Sequence, residues 1–500
     1  MPTEQGSIPA VALTARHANL VLAAYPLLIQ FLLLAVWKLL SSLILAIYPL
    51  GKGTKTARSG QTDTEDLKGW LARYVVIIAF WNSVEPMHAS GTMLWYFKKT
   101  VFAKLPGRLL SGSLFVISSV MAFGGIAFGI LYTSRISVGN AAPVAPSVLY
   151  LPKIPTIGNG VELQHFSFHR PSFLRAIGSA EAFDLNSKAT SIYIQDRFLP
   201  TTNNTHPQVE IKYRYSITGR DFGLQNHLSL SFQVSGQCTT EYSWLRSGPL
   251  ITLDAYYMWN KTDTAHTAFA PSSKYTQPGL LGIQTVRYES TPEEYDVESS
   301  NHTFGFIVRS AGVGSYTPST DAWYYTEPVP PNSTPELWLG ASQRVKSGRP
   351  VLSCWENLNL CYNGVCGFKN LTNSKNLPNG TLLPLADKIS PVVSRIVLQA
   401  GVSSLRVYSG SNSGQFIDAG SGSMKADLQR LVLAAYLLTK ESYRNIALND
   451  RLDKDNAFED GNSKLLPGAA DFVMRTTDVT ALRIDMLIIP PCLLCGFWII

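Results

Sequence analysis

The chain is short of catalytic signatures. It has no HExxH, no Walker loop and no GxSxG, and the nearest approach, GSNSG at 410–414, puts Asn where a nucleophile would stand. This removes every hydrolase or nucleotide-binding reading that rests on a local motif. Paired carboxylates for glycoside hydrolysis stay open, because they come from distant parts of a chain and leave no local trace. Charge is scarce too, at 15% of 500 residues, yet mean hydropathy is only +0.07. A polytopic transporter would score much higher, so the balance fits a few spanning segments attached to a soluble domain. The formal charge of +7 suggests a nucleic-acid partner until it is located. Much of it lies beside apolar runs, where it sets orientation, and nucleic-acid binding is set aside. No cleavable signal peptide is evident, and no cofactor is implied.

What is present is one uncharged run, Leu109 to Tyr132, of 24 residues. At about 1.5 Å per residue it is long enough to cross a hydrocarbon core of about 30 Å. Lys98, Lys99, Lys104 and Arg108 crowd its upstream end and Arg135 stands alone downstream. By the positive-inside rule the upstream end is cytoplasmic, and everything from Ile136 onward starts outside or in a lumen. Residues 1–18 read as a polar tail. Leu20 to Leu50 is far too long for a signal-peptide core and reads as a signal anchor, interrupted by Lys38. Either Leu20 to Trp37 spans and Lys38 snorkels to the interface, or one tilted helix covers most of the run. Gly51 to Arg73 is a polar loop with five basic residues. Tyr74 to Phe97 carries Glu85, Pro86 and His88 in its middle. Charge bias favours an interfacial or re-entrant segment there, with Glu85 at headgroup level and both basic loops cytoplasmic. Gly125 and Gly129 form a GxxxG whose small residues let helices approach closely. The chain's own first helix is the favoured partner, and a homodimer through the 109–132 helix is the alternative. Met486 to Ile500 reads as a closing span, complete or truncated, in preference to a GPI signal, whose spacer would contain Arg475, Arg483 and Asp485.

Beyond a Pro- and Ala-rich linker at 136–155, the apolar pattern has period 2. Val209 to Ile217, Leu228 to Val234, Ile251 to Trp259 and Phe304 to Val308 alternate as half-buried strands. A turn-rich loop with Gly219, Asp221 and Gly223 joins the first two. After Pro384 the period becomes helical. Leu428, Leu431, Val432, Ala435 and Leu438 share one face, flanked by Asp427, Arg430 and Lys440. A second helix is expected from Asp478 through Leu482 into the tail. The fold class is therefore α+β: transmembrane helices plus a β-rich antiparallel outer domain at 156–384 and a helical part at 385–485. Cys238, Cys354, Cys361 and Cys366 fall in that domain, an even number suited to two disulfides in an oxidising compartment. Cys361 and Cys366 enclose Tyr-Asn-Gly-Val, and Asn-Gly favours the tight turn that would join them. Cys238, inward on its strand, is left for Cys354.

Six N-x-S/T sequons, at Asn203, Asn260, Asn301, Asn332, Asn370 and Asn379, all lie beyond the organising helix. They exceed chance and predict surface glycans. Asn260 is placed on the polar face of its strand with Thr252 and Asp254. His165 and His169 flank a strand-like FSF, where a four-residue spacing does not favour zinc. The acidic loop of Glu289, Glu293, Glu294, Asp296 and Glu298 matches no calcium-loop spacing and reads as a solvated turn.

At HRPSFLRAIGSAEAF (169–183), GRDFGLQ (219–225), QCTTEYSW (237–244), TPSTDAWYYTEPVP (317–330) and GRPVLSCWE (348–356) the chain resembles a group of uncharacterised fungal integral-membrane proteins. That resemblance implies amino-terminal helices, a large glycosylated outer domain and a closing helix, and it implies no activity. The expected protein is membrane-anchored and N-glycosylated, with an outer domain that binds an unknown extracellular or luminal ligand, such as a surface or wall component. A tethered hydrolase acting on glycans or peptides is the alternative. An enzyme should show a deep pocket, and a binding module a shallow aromatic or polar surface.

Overall fold

A computed structural model describes residues 2–3, 6–47, 64–102, 108–144, 170–186, 192–199, 208–246, 254–260, 267–269, 278–288, 301–329, 340–373, 377–386, 388, 391–411, 413–448 and 464–499. The chain divides into two compact units, one built from residues 3–143 and 474–500, the other from 144–473. Helices and antiparallel sheets are both present, as an α+β fold requires.

Unit 1 is helical. Helix α1, Ala15–Ile47, runs on without a break through both Pro26 and Lys38. Helix α2 is Thr64–Trp81, α3 is Pro86–Phe102 and α4 is Arg108–Ile136. Among the described residues, α1 and α4 are the helices long and apolar enough to cross a membrane. The segment Tyr74 to Phe97, expected as interfacial or re-entrant, falls in two helices with a turn at 82–85. Pro86 cannot supply an interior helical N–H but suits the first helical position, so it starts α3 instead of continuing α2. Helix α3 then packs antiparallel on α4. Thr100 and Ser111 hydroxyls meet at 3.3 Å and Ser90 and Ser119 hydroxyls at 2.8 Å. The turn is tied to α1 by Trp37, whose indole N–H donates to the Ser83 carbonyl at 3.0 Å. Trp37, Val76, Phe80, Ala89, Met93 and Leu114 bury one another around it.

The opposite end of this unit corrects three expectations. The tail at 1–18 includes a strand, Ala10–Thr14, and α1 has already begun at Ala15. The linker begins as the end of α4 and two short strands, Ser137–Gly139 and Ala141–Pro143; its residues 145–155 lie outside the described ones. The helix expected from Asp478 is instead a strand, Val479–Arg483, followed by the closing helix Ile484–Ile499. The strand pairs antiparallel with Ala10–Thr14 on one side and Ser137–Gly139 on the other. Two open backbone edges beside VTALR outweigh the capping signal of Asp478.

Unit 2 is organised by an antiparallel sheet. Its strands are β1 Ile192–Leu199, β2 Gln208–Thr218, β3 Ser231–Glu241, β4 Gly282–Arg287, β5 Asn301–Arg309 and β6 Val351–Tyr362, in the order β4-β5-β6-β3-β2-β1. Strand β3 starts at Ser231, three residues later than the alternation suggests, because Leu228 to Leu230 close the turn after β2. The inner face carries Ile211, Tyr213, Tyr215 and Ile217 on β2, Phe232 and Val234 on β3, and Leu358 and Leu360 on β6, all buried. Helices α5 Arg170–Asn186, α6 Val392–Ala400 and α8 Met424–Lys440 pack with it, and a one-turn helix, α7 Arg406–Ser409, leads towards α8. Helix α5 was not expected within the β-rich region. It buries Phe173, Ala176, Ile177 and Ala180, a spacing that makes one helical face.

Among the described residues, the outer face is covered at one end. A small sheet of Leu245–Arg246, Asp254–Tyr256 and Thr267–Phe269 lies there with Met258. A Cβ on Gly305 would meet Met258 Cε at 2.0 Å, so glycine is required for that cover. Consequently Phe304 to Val308 is buried on both faces, where alternation implied one. The strand expected from Ile251 to Trp259 is described as Asp254–Tyr256 followed by a turn at 258–260, with Trp259 at φ 55°. Asn260 therefore sits on a turn, and Asp254 is buried, accepting from the Gly348 N–H at 3.1 Å.

A candidate binding face on the central sheet

The uncovered part of the outer face follows directly from the alternation of β1, β2, β3 and β6. Register puts Thr303, Trp355, Gln237, Lys212 and Gln195 in one row across five strands. The next row is Asn301, Asn357, Ser235, Arg214 and Tyr193. Every side chain in the two rows except Trp355 is a hydrogen-bonding group made for water or a polar ligand. Trp355, on the second of the five strands, is 39% exposed and leaves a large apolar ring open to solvent. Neighbouring strands lie about 4.8 Å apart, so five strands give a face about 19 Å wide. Part of the row is held in place: Glu210 accepts from Gln237 at 2.7 Å and pairs with Lys212 at 3.1 Å. Arg214, Gln195 and Tyr193 are exposed.

Behind Trp355, on the inner face, Glu356 is fully buried. Tyr213 and Glu356 are both opposite Gly236 in the register, and a Cβ on Gly236 would lie 2.2 Å from the Tyr213 ring. The glycine thus lets the phenol cross β3 and donate to Glu356 at 2.6 Å. Burial pushes the Glu356 carboxyl up to about 7, opposed by that hydrogen bond and by the Val392 N–H at the start of α6. A second buried acid corrects the sequence reading of α8. Asp427 is not a flanking charge but 0% exposed. It accepts from Tyr324 at 2.5 Å and from the Arg406 and Val407 N–H groups at 2.6 and 3.1 Å, capping α7. Burial holds it up at about 6 despite these partners. Asp321 caps α8 in the same manner, accepting from Met424 N–H at 3.0 Å. These acids position helices; Glu356 and Asp427 are closed off from solvent and Asp321 is half-buried. A small cleft is lined by Ala180, Glu181, Arg406, Arg430 and Leu433.

Cys238 is bonded to Cys354, directly opposite it between β3 and β6, and Cys361 to Cys366 across the Asn-Gly turn. Cys492 and Cys495 are free and exposed. Asn301 is exposed at the start of β5, and Asn379 is exposed as the first residue of the helix Asn379–Ala386. Asn370, also exposed, donates from its amide to the Cys366 carbonyl at 2.9 Å. Asn203, Asn332, His165, His169 and the acidic loop at 289–298 lie outside the described residues, as does the side chain of Asn260. Of the GxxxG pair, Gly125 faces α1, since a Cβ there would reach Leu33 Cδ1 at 2.7 Å, whereas Gly129 has nothing within 4 Å. No cluster of three metal-ligating side chains occurs among the described residues. Sequence reasoning missed Trp355, although the alternation VLSCWENLNL placed it on an outward phase with Asn357 and Asn359.

A family model described as a domain of unknown function (DUF8406) matches residues 170–474. No curated protein and no solved structure matches the chain.

Proposed function

We propose a glycan-binding role for this chain, which belongs to the DUF8406 family of domains of unknown function. In this reading α1 and α4 anchor the protein in a plasma or secretory-pathway membrane, and unit 2 faces the outside or lumen, N-glycosylated. Two long apolar helices and two disulfides support a membrane-anchored or secretory setting. The ligand is a polysaccharide of the cell surface or wall, in keeping with the resemblance to fungal membrane proteins. The observation that carries the reading is Trp355, exposed second in a five-strand row of amide, hydroxyl and charged side chains, with a second polar row beside it. A pyranose ring offers a C–H face to stack on the indole and an equatorial rim of hydroxyls for Gln237, Asn357, Ser235 and Gln195. A face about 19 Å wide would hold a short run of sugar units along its rows. The tethered hydrolase is less well supported, because Glu356 and Asp427 are enclosed behind the sheet and beneath helices.

The test is co-sedimentation of the full-length protein in detergent with insoluble β-glucan, chitin or mannan. Binding to one of them should fall about tenfold or more in Trp355→Ala, a loss of the size expected for one stacked aromatic with its contacts. Equal binding by Trp355→Ala, or binding to none of the three, would count against the proposal.

A further inference from the structure

Lys38 and Glu85 are both exposed on unit 1, and neither makes an ion pair or side-chain hydrogen bond among the described residues. Their depth follows from helix register. Arg108 and Arg135 bracket α4, about 40 Å apart along the helix, so a hydrocarbon core of about 30 Å leaves about 5 Å at each end. Ser90 meets Ser119 on antiparallel helices, which brings Glu85 level with about residue 124 of α4. Leu33 lies against Gly125, which brings Lys38 level with about residue 120. If α4 spans, the Glu85 carboxylate lies about 11 Å inside the core, beyond the reach of its short side chain. Lys38 is at comparable depth from the other boundary. It shares the outward stripe of α1 with Leu20, Leu27 and Phe31, each 60% exposed or more.

Lys38 follows Trp37 and Glu85 lies two residues beyond Ser83, so the two opposite charges stand next to one buried contact, at levels only a few residues apart. Such a patch is complementary to itself. A two-fold axis along the membrane normal sets Lys38 of each copy against Glu85 of the other and cancels all four charges. Their levels differ by about four residues, or about 6 Å, and the Lys38 Cα–Cβ bond tilts towards the α1 N-terminus, which is the direction of Glu85. A foreign partner would need the same two charges in mirror order at the same depths. We propose that unit 1 pairs with a second copy of this chain through the Lys38–Glu85 patch. This interface is distinct from the Gly125 surface of α4, which α1 already occupies. The inference rests on the membrane reading above.

The experiment co-expresses full-length Lys38→Cys and Glu85→Cys chains carrying different tags, with Cys492 and Cys495 replaced by Ala. Membranes are oxidised after alkaline carbonate washing. A disulfide-linked pair bearing both tags is expected, formed severalfold more than between two Lys38→Cys chains. In the otherwise native chain, Lys38→Glu or Glu85→Lys should each lower co-purification of the two tags severalfold, and the double exchange should restore it. Protein that resists carbonate yet gives no two-tag product, or an intrachain link only when both cysteines share one chain, overturns the pairing while leaving the anchor intact. Release of the protein by carbonate instead overturns the membrane reading, and the pairing with it.

Discussion

Glu356 and Asp427 give unit 2 a pH dependence of definite sign. Burial raises both, to about 7 and about 6, above their values in an unfolded chain. A raised carboxyl prefers its proton in the folded state. Its contribution is full below the unfolded value and is lost as pH rises through the folded one. Stability of unit 2 should therefore fall between about pH 4.5 and pH 7, with Asp427 acting over the lower part of the window and Glu356 reaching its top. Each pK unit is about 1.4 kcal/mol, so Glu356, raised from 4.5 to about 7, accounts for about 3–4 kcal/mol. Glu356→Gln keeps the shape and a donor–acceptor pair for Tyr213 and Val392. It is expected to raise the melting temperature by several degrees at pH 8 and to change it little at pH 4.5. Equal shifts at both pH values would show that the carboxyl does not titrate in this range.

At the scale of elements, the two disulfides should differ in weight. Cys238–Cys354 closes a separation of 116 residues and Cys361–Cys366 one of 5. Chain entropy assigns about 5 kcal/mol to the first and about 2 kcal/mol to the second. Cys238→Ser with Cys354→Ser should cost most of the stability or prevent secretion, whereas Cys361→Ser with Cys366→Ser should lower the denaturant midpoint modestly. A smaller loss from the long link than from the short one would contradict the entropic account. The elements themselves were unequally legible. Strand β2 reads plainly because Val, Ile and Tyr alternate with charges, and α8 because Leu428 to Leu438 keep one face. Val479–Arg483 misled because its strand character depends on two partners far away in sequence, Ala10–Thr14 and Ser137–Gly139. Asp427 looked like a solvated flank because the N–H groups it caps belong to another helix. The candidate face was half legible for the same reason. Each strand announced its own outward residues, but nothing local announced that Gln195, Lys212, Gln237 and Trp355 align across four strands.

The whole molecule makes a topological prediction. Ala10–Thr14, Ser137–Gly139 and Val479–Arg483 form one sheet, so the start of α1, the end of α4 and the start of the closing helix lie together. If α1 and α4 span, the N-terminal strand is on the same side as residue 137, and by the charge bias of Lys98, Lys99 and Arg108 that side is outside or luminal. The helices α2 and α3 enter and leave from the other side, because α3 runs antiparallel to α4 with Thr100 beside Ser111. Their turn is level with the middle of α4, so if α4 spans, the pair is expected to be a re-entrant hairpin that adds no crossing. An epitope tag at the N-terminus should therefore be stained on intact cells. A cysteine introduced at Thr62 should react with an impermeant maleimide only after permeabilisation. Endoglycosidase should reduce the mass of the same protein, through Asn301, Asn370 and Asn379 among the exposed sequons. Labelling at Thr62 in intact cells together with a stained N-terminus would require α2 and α3 to cross. The register of α3 on α4 would then be wrong, while the sheet that joins the three ends would stand.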